Sequence, residues 1–326
     1  MHPRLLELGP IVIHSYGFFL ALSFAIGIWL AGKRAEQRGI PSEKIADVSL
    51  LNIVVTIPVL KDLTEQVGRP YVRVTSLLSG YENEHTYSPK PSDLVAVRKA
   101  RLLFEVGIGL EVWVSSLVKN AGSSSLRIIT TSKGIALLRD RPDHDRTDHA
   151  ADEADRGNPH IWMDPENAAT MMRHITEALI QTDPAHTKEY RANQASYLRK
   201  LDQLRGDLSD RLAQLTDRRF ISHHPAWPYF ARRFGFQVVG TIQPQSGSEP
   251  SALHLHNLIA VIKKNRIKVV VSEVQLSQKI PDLLAKETGA RVVVLTTLPG
   301  GLPRTETYLD MLRYNVLQLA NALEAA

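Results

Sequence analysis

The hydrophobic pattern changes character at Leu51, and from there apolar runs of strand length alternate with amphipathic segments of helical length. Alternation at this spacing is typical of a parallel sheet with helices on its faces. The strand-like runs of the first half are 52–57, 71–78, 101–106 and 126–130, and the helix-like segments among them are 58–67, 92–99 and 111–120. These runs predict an α/β lobe over residues 51–183.

A long amphipathic segment separates this half from a second one of the same kind. From Tyr197 to Leu215 apolar residues recur every three or four positions, which is the pattern of one helix face. The strand-like runs beyond it are 219–222, 237–241, 267–272 and 291–295, and the helix-like ones are 227–233, 252–264, 279–288 and 305–324. We therefore expect an α/β protein of two lobes, each with a four-stranded, mainly parallel sheet flanked by helices. A long rigid helix at 184–215 joins the first lobe to the second, which covers 216–326.

The first fifty residues follow a different pattern. From Leu8 to Gly32 there is no charged residue, and about 20 apolar residues suffice to cross a bilayer as a helix. A cleaved signal peptide is the alternative, but only Arg4 precedes the segment and no convincing cleavage site follows it. We therefore predict a transmembrane helix within residues 1–50. The basic residues between Lys33 and Lys44 would place its carboxyl-terminal side in the cytoplasm.

Composition narrows the chemistry that the lobes can perform. The chain has 326 residues, a formal net charge of +5 and no cysteine. Its basic residues are scattered, with no run interleaved with aromatic residues, so we do not expect nucleic-acid binding. The absence of cysteine excludes disulfides, cysteine nucleophiles and thiolate-bound zinc. Any metal site must therefore use histidine, carboxylate or water as ligands.

Residues 140–157 interrupt the alternation of strands and helices. The stretch contains seven acidic residues, three arginines and the two histidines His144 and His149, with almost nothing apolar to bury. Such a composition is typical of a mobile surface loop. Two interpretations stay open, a solvated linker and a loop that collects metal beside a site.

Three histidines lie at chain corners that α/β sheets use for binding. His85 follows the second strand-like run, His160 follows the acidic loop, and His224 follows the run at 219–222. Ligands collect outside the carboxyl ends of parallel strands, so a cation between the lobes fits these positions. Imidazole suits tetrahedral Zn²⁺, whereas a manganese site is expected to carry more carboxylate. A single such histidine is by default a core or capping residue, and His223 competes with His224, but the joint placement favours a metal site.

The segments around these histidines carry a specific set of motifs. They are Thr56-Ile57-Pro58, His85-Thr86-Tyr87-Ser88-Pro89, Gly107-Ile108-Gly109-Leu110-Glu111, Pro159-His160-Ile161-Trp162-Met163-Asp164-Pro165, His224-Pro225-Ala226-Trp227, Glu249-Pro250-Ser251 and Ser272-Glu273-Val274-Gln275. With them, residues from about 52 to 326 resemble the zinc and manganese solute-binding proteins of ABC importers, the zinc-type branch especially. The resemblance implies a metal in the cleft between two lobes, with His85, His160 and His224 as ligands. It also implies delivery of zinc to an ABC permease, an extracytoplasmic (periplasmic) location and no enzymatic activity.

The fourth ligand is left open by this resemblance. Many members place an aspartate after the last strand, where this chain reads Leu295-Thr296-Thr297-Leu298. We expect Glu273 to take its place, with water as the alternative. A manganese receptor of the same family is the nearest alternative function. A zinc hydrolase with Glu273 as general base is the alternative of another class, although no His-Glu-x-x-His motif accompanies it.

The N-terminal residues resemble a different family. Met1-His2-Pro3, Glu7-Leu8-Gly9-Pro10, His14-Ser15-Tyr16-Gly17 and Lys33-Arg34-Ala35 are similar to the N-terminus of the bacterial prolipoprotein diacylglyceryl transferases. The later spans that carry that family's catalytic motifs are missing, so an inactive fragment fused to a metal-binding module is a further alternative. A metal receptor must face outside, whereas the basic residues after the helix point inside. We expect a monomer anchored by the N-terminal helix, with its topology left open.

Overall fold

The computed structural model describes residues 50–139, 157–244 and 249–325, together with 4–8, 11–14 and single or paired positions between 19 and 34. The chain divides into two units, Met1–Leu51 and Asn52–Ala326. In the first unit, strand β1 (Arg4–Leu8) pairs antiparallel with β2 (Ile11–His14). The described positions from 19 to 34 are helical, and large apolar side chains among them, such as Phe19 and Trp29, are exposed.

The transmembrane helix predicted within the first fifty residues is not supported. The uncharged segment that begins at Leu8 includes strand β2 instead of continuing as one helix. Among the residues with described positions, no helix is both long and apolar enough to cross a bilayer. The β-branched run Ile11-Val12-Ile13 favours a strand, a preference that a count of apolar residues does not register.

The N-terminal lobe of the second unit is built on a four-stranded sheet. Its strands lie in the order β4-β3-β5-β6, and β5 is parallel to both β3 and β6. The strands are β3 (Leu51–Val55), β4 (Val72–Ser76), β5 (Leu102–Glu105) and β6 (Arg127–Thr130), and the helices among them are α1 (Pro58–Gly68), α2 (Pro91–Lys99) and α3 (Val114–Ala121). The apolar side chains at 53–55 in β3 and 102–104 in β5 are almost fully buried, which is why these strands read as continuous hydrophobic runs.

The C-terminal lobe repeats this arrangement with its own sheet. The strand order is β10-β9-β7-β8, and the three pairings are parallel. The strands are β7 (Arg219–Ser222), β8 (Gln237–Thr241), β9 (Val269–Glu273) and β10 (Arg291–Leu295). A core cluster that includes Ile221, Leu258 and Leu284 joins the sheet to its helices. Each sheet therefore has its first and third strands side by side in the middle.

Two helices lie between the sheets in the sequence. Helix α4 (Pro165–Thr182) packs against α1, and α5 (Thr187–Leu212) contacts α1, α4 and the last helix of the chain. Helix α5 has 26 residues and is therefore about 39 Å long. It buries the predicted apolar face from Tyr197 to Leu212, and a short 3-10 turn at Pro184–His186 precedes it. The remaining helices, in chain order, are α6 (Pro228–Phe234), α7 (Ala252–Asn265), α8 (Lys279–Thr288) and the last helix, α9 (Tyr308–Glu324).

The predicted two-lobed α/β architecture is confirmed. The ion pair between Arg211 and Glu324, with a separation of 2.7 Å between Nη1 and Oε1, fixes the end of α5 to α9. Helix α5 thus contacts elements of both lobes, as the predicted linking helix does. Most of the acidic stretch predicted as a loop, residues 140–156, lies outside the described residues.

Candidate metal centre

Glu84 and His85 lie in the loop that follows β4. The indole Nε1 of Trp113 donates a hydrogen bond to the backbone carbonyl of Glu84 at 3.1 Å. The backbone N–H of His85 donates to Oδ1 of Asn83 at 2.9 Å. Glu84 is buried and His85 is partly exposed. The loop therefore holds a buried carboxylate and an imidazole side by side.

His160 lies four residues before Asp164, the N-cap of α4. A 3-10 turn at Ile161–Met163 follows it, and the side chain of Asp164 caps α4. Within the turn, the indole Nε1 of Trp162 donates to the carbonyl of Thr297 at 2.7 Å, and Thr297 belongs to the C-terminal lobe. The turn that follows His160 is therefore attached to both lobes.

His224 and Glu273 lie at the carboxyl ends of β7 and β9. These are the two middle strands of the C-terminal sheet, where the strand order reverses and where α/β sheets bind ligands. Nδ1 of His224 lies 2.6 Å from Oε2 of Glu273. The other carboxylate oxygen accepts from the indole Nε1 of Trp227 at 3.0 Å. Both side chains are buried, so the carboxylate fixes the orientation of the imidazole.

Three imidazole rings converge between the lobes. Nε2 of His160 lies 3.0 Å from Nε2 of His85 and 3.2 Å from Nε2 of His224. Oε1 of Glu84 lies 3.7 Å from Nε2 of His160, and one ligand atom from each of these four side chains falls within 4.8 Å of the others. Around a tetrahedral Zn²⁺ with bonds of about 2.0–2.1 Å, neighbouring nitrogen ligands lie about 3.3 Å apart. The spacing of the three nitrogens therefore suits a small divalent cation.

The carboxylate of Glu84 also has an oxygen that is available to a cation. Its Oε1 is buried and forms no hydrogen bond with any described residue. Leaving a buried carboxylate oxygen without a partner is costly, and a metal ion would remove that cost. Sequence reasoning missed Glu84. The only signal was an acidic residue next to a candidate histidine ligand in a chain without cysteine.

Burial and charge set different protonation states within the group. Burial, with the charge of His224, lowers the pKa of His85 to about 3 and the pKa of His160 well below its usual value. Burial also acts to lower the pKa of His224, but the Glu273 carboxylate outweighs it and raises that pKa. Burial raises the pKa of Glu84 to about 6. At neutral pH His85 and His160 therefore offer free electron pairs, whereas His224 holds its proton more tightly than an ordinary histidine.

The structure brings together the three predicted histidines but places Glu273 differently. Glu273 contacts the Nδ1 side of His224 and is not one of the four converging side chains. His223, the competitor of His224, is buried with Nδ1 3.3 Å from Oγ of Ser272, and it also lies outside the group. His144 and His149 lie outside the described residues.

Comparison with known proteins gives the family of the second unit. Residues 53–322 match the family described as zinc-uptake complex component A, periplasmic (ZnuA). The chain belongs to this family. Family membership confirms the predicted class, a metal-binding receptor of a solute-uptake system and not an enzyme. A separate match of residues 3–60 to the prolipoprotein diacylglyceryl transferase family covers only the N-terminal part.

Individual relatives differ in the metal they are named for. The high-affinity zinc uptake system protein ZnuA of Bacillus subtilis is 29% identical, over 84% of this chain and 88% of its own. The manganese-binding lipoprotein MntA of Halalkalibacterium halodurans is 27% identical, over 91% of this chain and 95% of its own. A crystal structure of ZnuA superposes with a TM-score of 0.74 at 32% identity, covering 84% of this chain and 99% of that one.

Proposed function

We propose that residues 52–326 form a receptor that binds Zn²⁺ between its lobes and delivers it to the permease of an ABC importer. Family membership supports the receptor role. The observation that carries the choice of cargo is the convergence of three imidazole Nε2 atoms beside a buried carboxylate oxygen that has no hydrogen-bond partner in the described chain.

In this proposal His85, His160, His224 and Glu84 hold the metal. Glu84 replaces Glu273, the fourth ligand expected from the sequence, because its free oxygen is near the Nε2 atoms. Oε2 of Glu273 instead lies 2.6 Å from Nδ1 of His224, on the opposite edge of that ring from Nε2, so Nε2 stays available to the metal. Carboxylates that hold a ligating imidazole in this way orient the ring and increase its basicity.

Zinc is favoured over manganese by the donor set. Three imidazoles and one carboxylate suit zinc, whereas manganese is expected to take more oxygen ligands. The stretch Leu295-Thr296-Thr297-Leu298, where the resemblance leads us to expect an aspartate, contains none and so adds no carboxylate. The name of the manganese-binding relative keeps manganese as the second candidate. Competition between the two ions for the metal-free protein measures the preference directly.

A pair of neighbouring histidines supplies a matched test of the site. We expect His224→Ala to weaken zinc binding by at least about 100-fold, more than the loss of an outer-shell partner causes. His223→Ala removes an equally buried imidazole outside the group and is expected to retain most of the affinity. Calorimetric titration of both variants is the measurement. Equal affinity of His224→Ala and the unmodified protein would refute the proposed ligand set.

We place the receptor outside the cytoplasm, in agreement with the periplasmic family description. The name of the lipoprotein relative supports attachment to a membrane. Because the chain has no cysteine, one cysteine at the exposed Ser124 gives a unique label. We expect a membrane-impermeant maleimide to label it in intact spheroplasts. Labelling only after lysis would rule out an import role for this chain.

A further inference from the structure

The side chain of Asn158 lies between two of the converging histidines and contacts the chain at both. Its Nδ2 donates to the backbone carbonyl of Pro225 at 2.6 Å. Its Oδ1 accepts from the backbone N–H of His160 at 3.0 Å and lies 3.0 Å from Nδ1 of the same ring. Pro225 directly follows His224. One amide therefore connects the His160 segment in one lobe with the His224 segment in the other.

The orientation of this amide follows from its partners. A backbone carbonyl can only accept, so the NH₂ group of Asn158 must face Pro225 and the carbonyl oxygen must face His160. The amide oxygen also can only accept, so in a neutral His160 the proton lies on Nδ1. The electron pair of Nε2 then points toward His85 and His224, where a cation would bind.

The surroundings of Asn158 make this arrangement specific. Asn158 is 1% exposed, so bulk water does not compete for its amide. Its backbone carbonyl accepts from the hydroxyl of Tyr229 at 2.9 Å, and its backbone N–H donates to the carbonyl of Leu138 at 2.7 Å. Both the main chain and the side chain are therefore held, and the amide has little freedom to turn.

We propose that Asn158 is a positioning residue that selects the Nδ1–H tautomer of His160 in the metal-free protein and so prepares Nε2 for the metal. The inference rests on the proposed function, because preparing Nε2 of His160 matters only if that atom binds the metal. An aspartate could also accept from Nδ1–H, but it could not donate to Pro225. Asparagine is suited to the position because it satisfies both partners and adds no charge to a buried site.

Three variants test this role. Asn158→Ala removes the side-chain contacts with Pro225 and with the backbone and ring of His160, and Asn158→Asp keeps an acceptor for Nδ1–H but loses the donor to Pro225. Asn193→Ala is the control, because the Nδ2 of that residue also donates to backbone carbonyls, those of Val67 and Arg69, but has no hydrogen bond to an imidazole among the residues that the structure describes. Nitrogen-15 NMR of the metal-free protein distinguishes protonated from unprotonated ring nitrogens, and a His160→Gln spectrum assigns the signals. Calorimetric titration with zinc alone gives the affinity.

The proposal makes a distinct prediction for each variant. Asn158→Ala should lose the Nδ1–H signal of His160 and bind zinc roughly 10–100-fold more weakly, the usual effect of losing an outer-shell partner. Asn158→Asp should keep the Nδ1–H signal, and Asn193→Ala should match the unmodified protein in both measurements.

Two results would overturn it. One is an unchanged Nδ1–H signal in Asn158→Ala, whatever the affinity. The other is an equal loss of affinity in Asn158→Ala and Asn193→Ala, which would mean a general effect on the fold. Failure of the unmodified protein to bind zinc would instead refute the proposed function, and the tautomer of metal-free His160 would still test Asn158.

Discussion

Replacing Glu273 by glutamine should weaken zinc binding, and the loss should be greatest at high pH. The carboxylate of Glu273 is fully buried and lies 2.6 Å from Nδ1 of His224, and it also accepts from Trp227. A glutamine has the same shape but turns an NH₂ donor toward one of these two donors. Loss of such an outer-shell acceptor typically costs 10–100-fold in metal affinity, or about 1.4–2.7 kcal/mol.

The pH dependence distinguishes this mechanism from a general loss of packing. Glu273 raises the pKa of His224, so in the unmodified protein a proton competes with zinc as the pH falls through that pKa. Without the Glu273 carboxylate, burial is opposed only by the charge of Glu84, so the pKa of His224 falls and this competition begins only at lower pH. Below the pKa that His224 has in the unmodified protein, the ratio between the zinc affinities of the unmodified protein and of Glu273→Gln should therefore shrink by up to about tenfold per pH unit.

The assay is a competitive zinc titration at pH 8 and at pH 6. Glu111→Gln is the matched control, because Glu111 is another buried carboxylate that accepts from Thr56, Val106 and Gly107 and lies outside the converging group. We expect it to lower the free energy of unfolding and to leave the zinc affinity unchanged. An affinity ratio between Glu273→Gln and the unmodified protein that is the same at both pH values would refute this account of Glu273.

Two further predictions concern Glu84 and the capping residue Asp164. Burial raises the pKa of Glu84 to about 6, so zinc affinity should fall as the pH drops below about 6. Glu84→Gln should bind zinc more weakly at pH 8, and its affinity should decline less steeply at lower pH. Below the pKa of Glu84, titrations in buffers of different ionisation enthalpy should show that the variant releases up to one proton fewer on binding zinc. Asp164→Ala removes the cap of α4 and the buried carboxylate 2.7 Å from Arg233, while Arg233 keeps its contact with Glu166. Urea unfolding should therefore show a loss of about 2–4 kcal/mol in the free energy of unfolding. A loss below about 1 kcal/mol would contradict that role for the ion pair.

The sequence by itself determined the architecture of residues 52–326. Strands buried on both faces read as continuous apolar runs, and the predicted strands 219–222, 237–241 and 291–295 coincide with β7, β8 and β10. The periodic face from Tyr197 to Leu212 likewise identified α5, because helical spacing is a local property. The first fifty residues are the exception, since absence of charge is compatible with a strand as well as with a helix.

The three histidines could be named from the sequence because the carboxyl ends of parallel strands meet at one edge of a sheet. The sequence could not decide whether Glu84 or Glu273 is the fourth ligand. Each carboxylate is adjacent in sequence or in the sheet to a candidate ligand, and only the folded loops show which oxygen reaches the Nε2 atoms and which one faces Nδ1 of His224. The contact between Asn158 and Pro225 also joins residues 67 positions apart. Such contacts depend on how the two lobes meet, which no local pattern along the chain records.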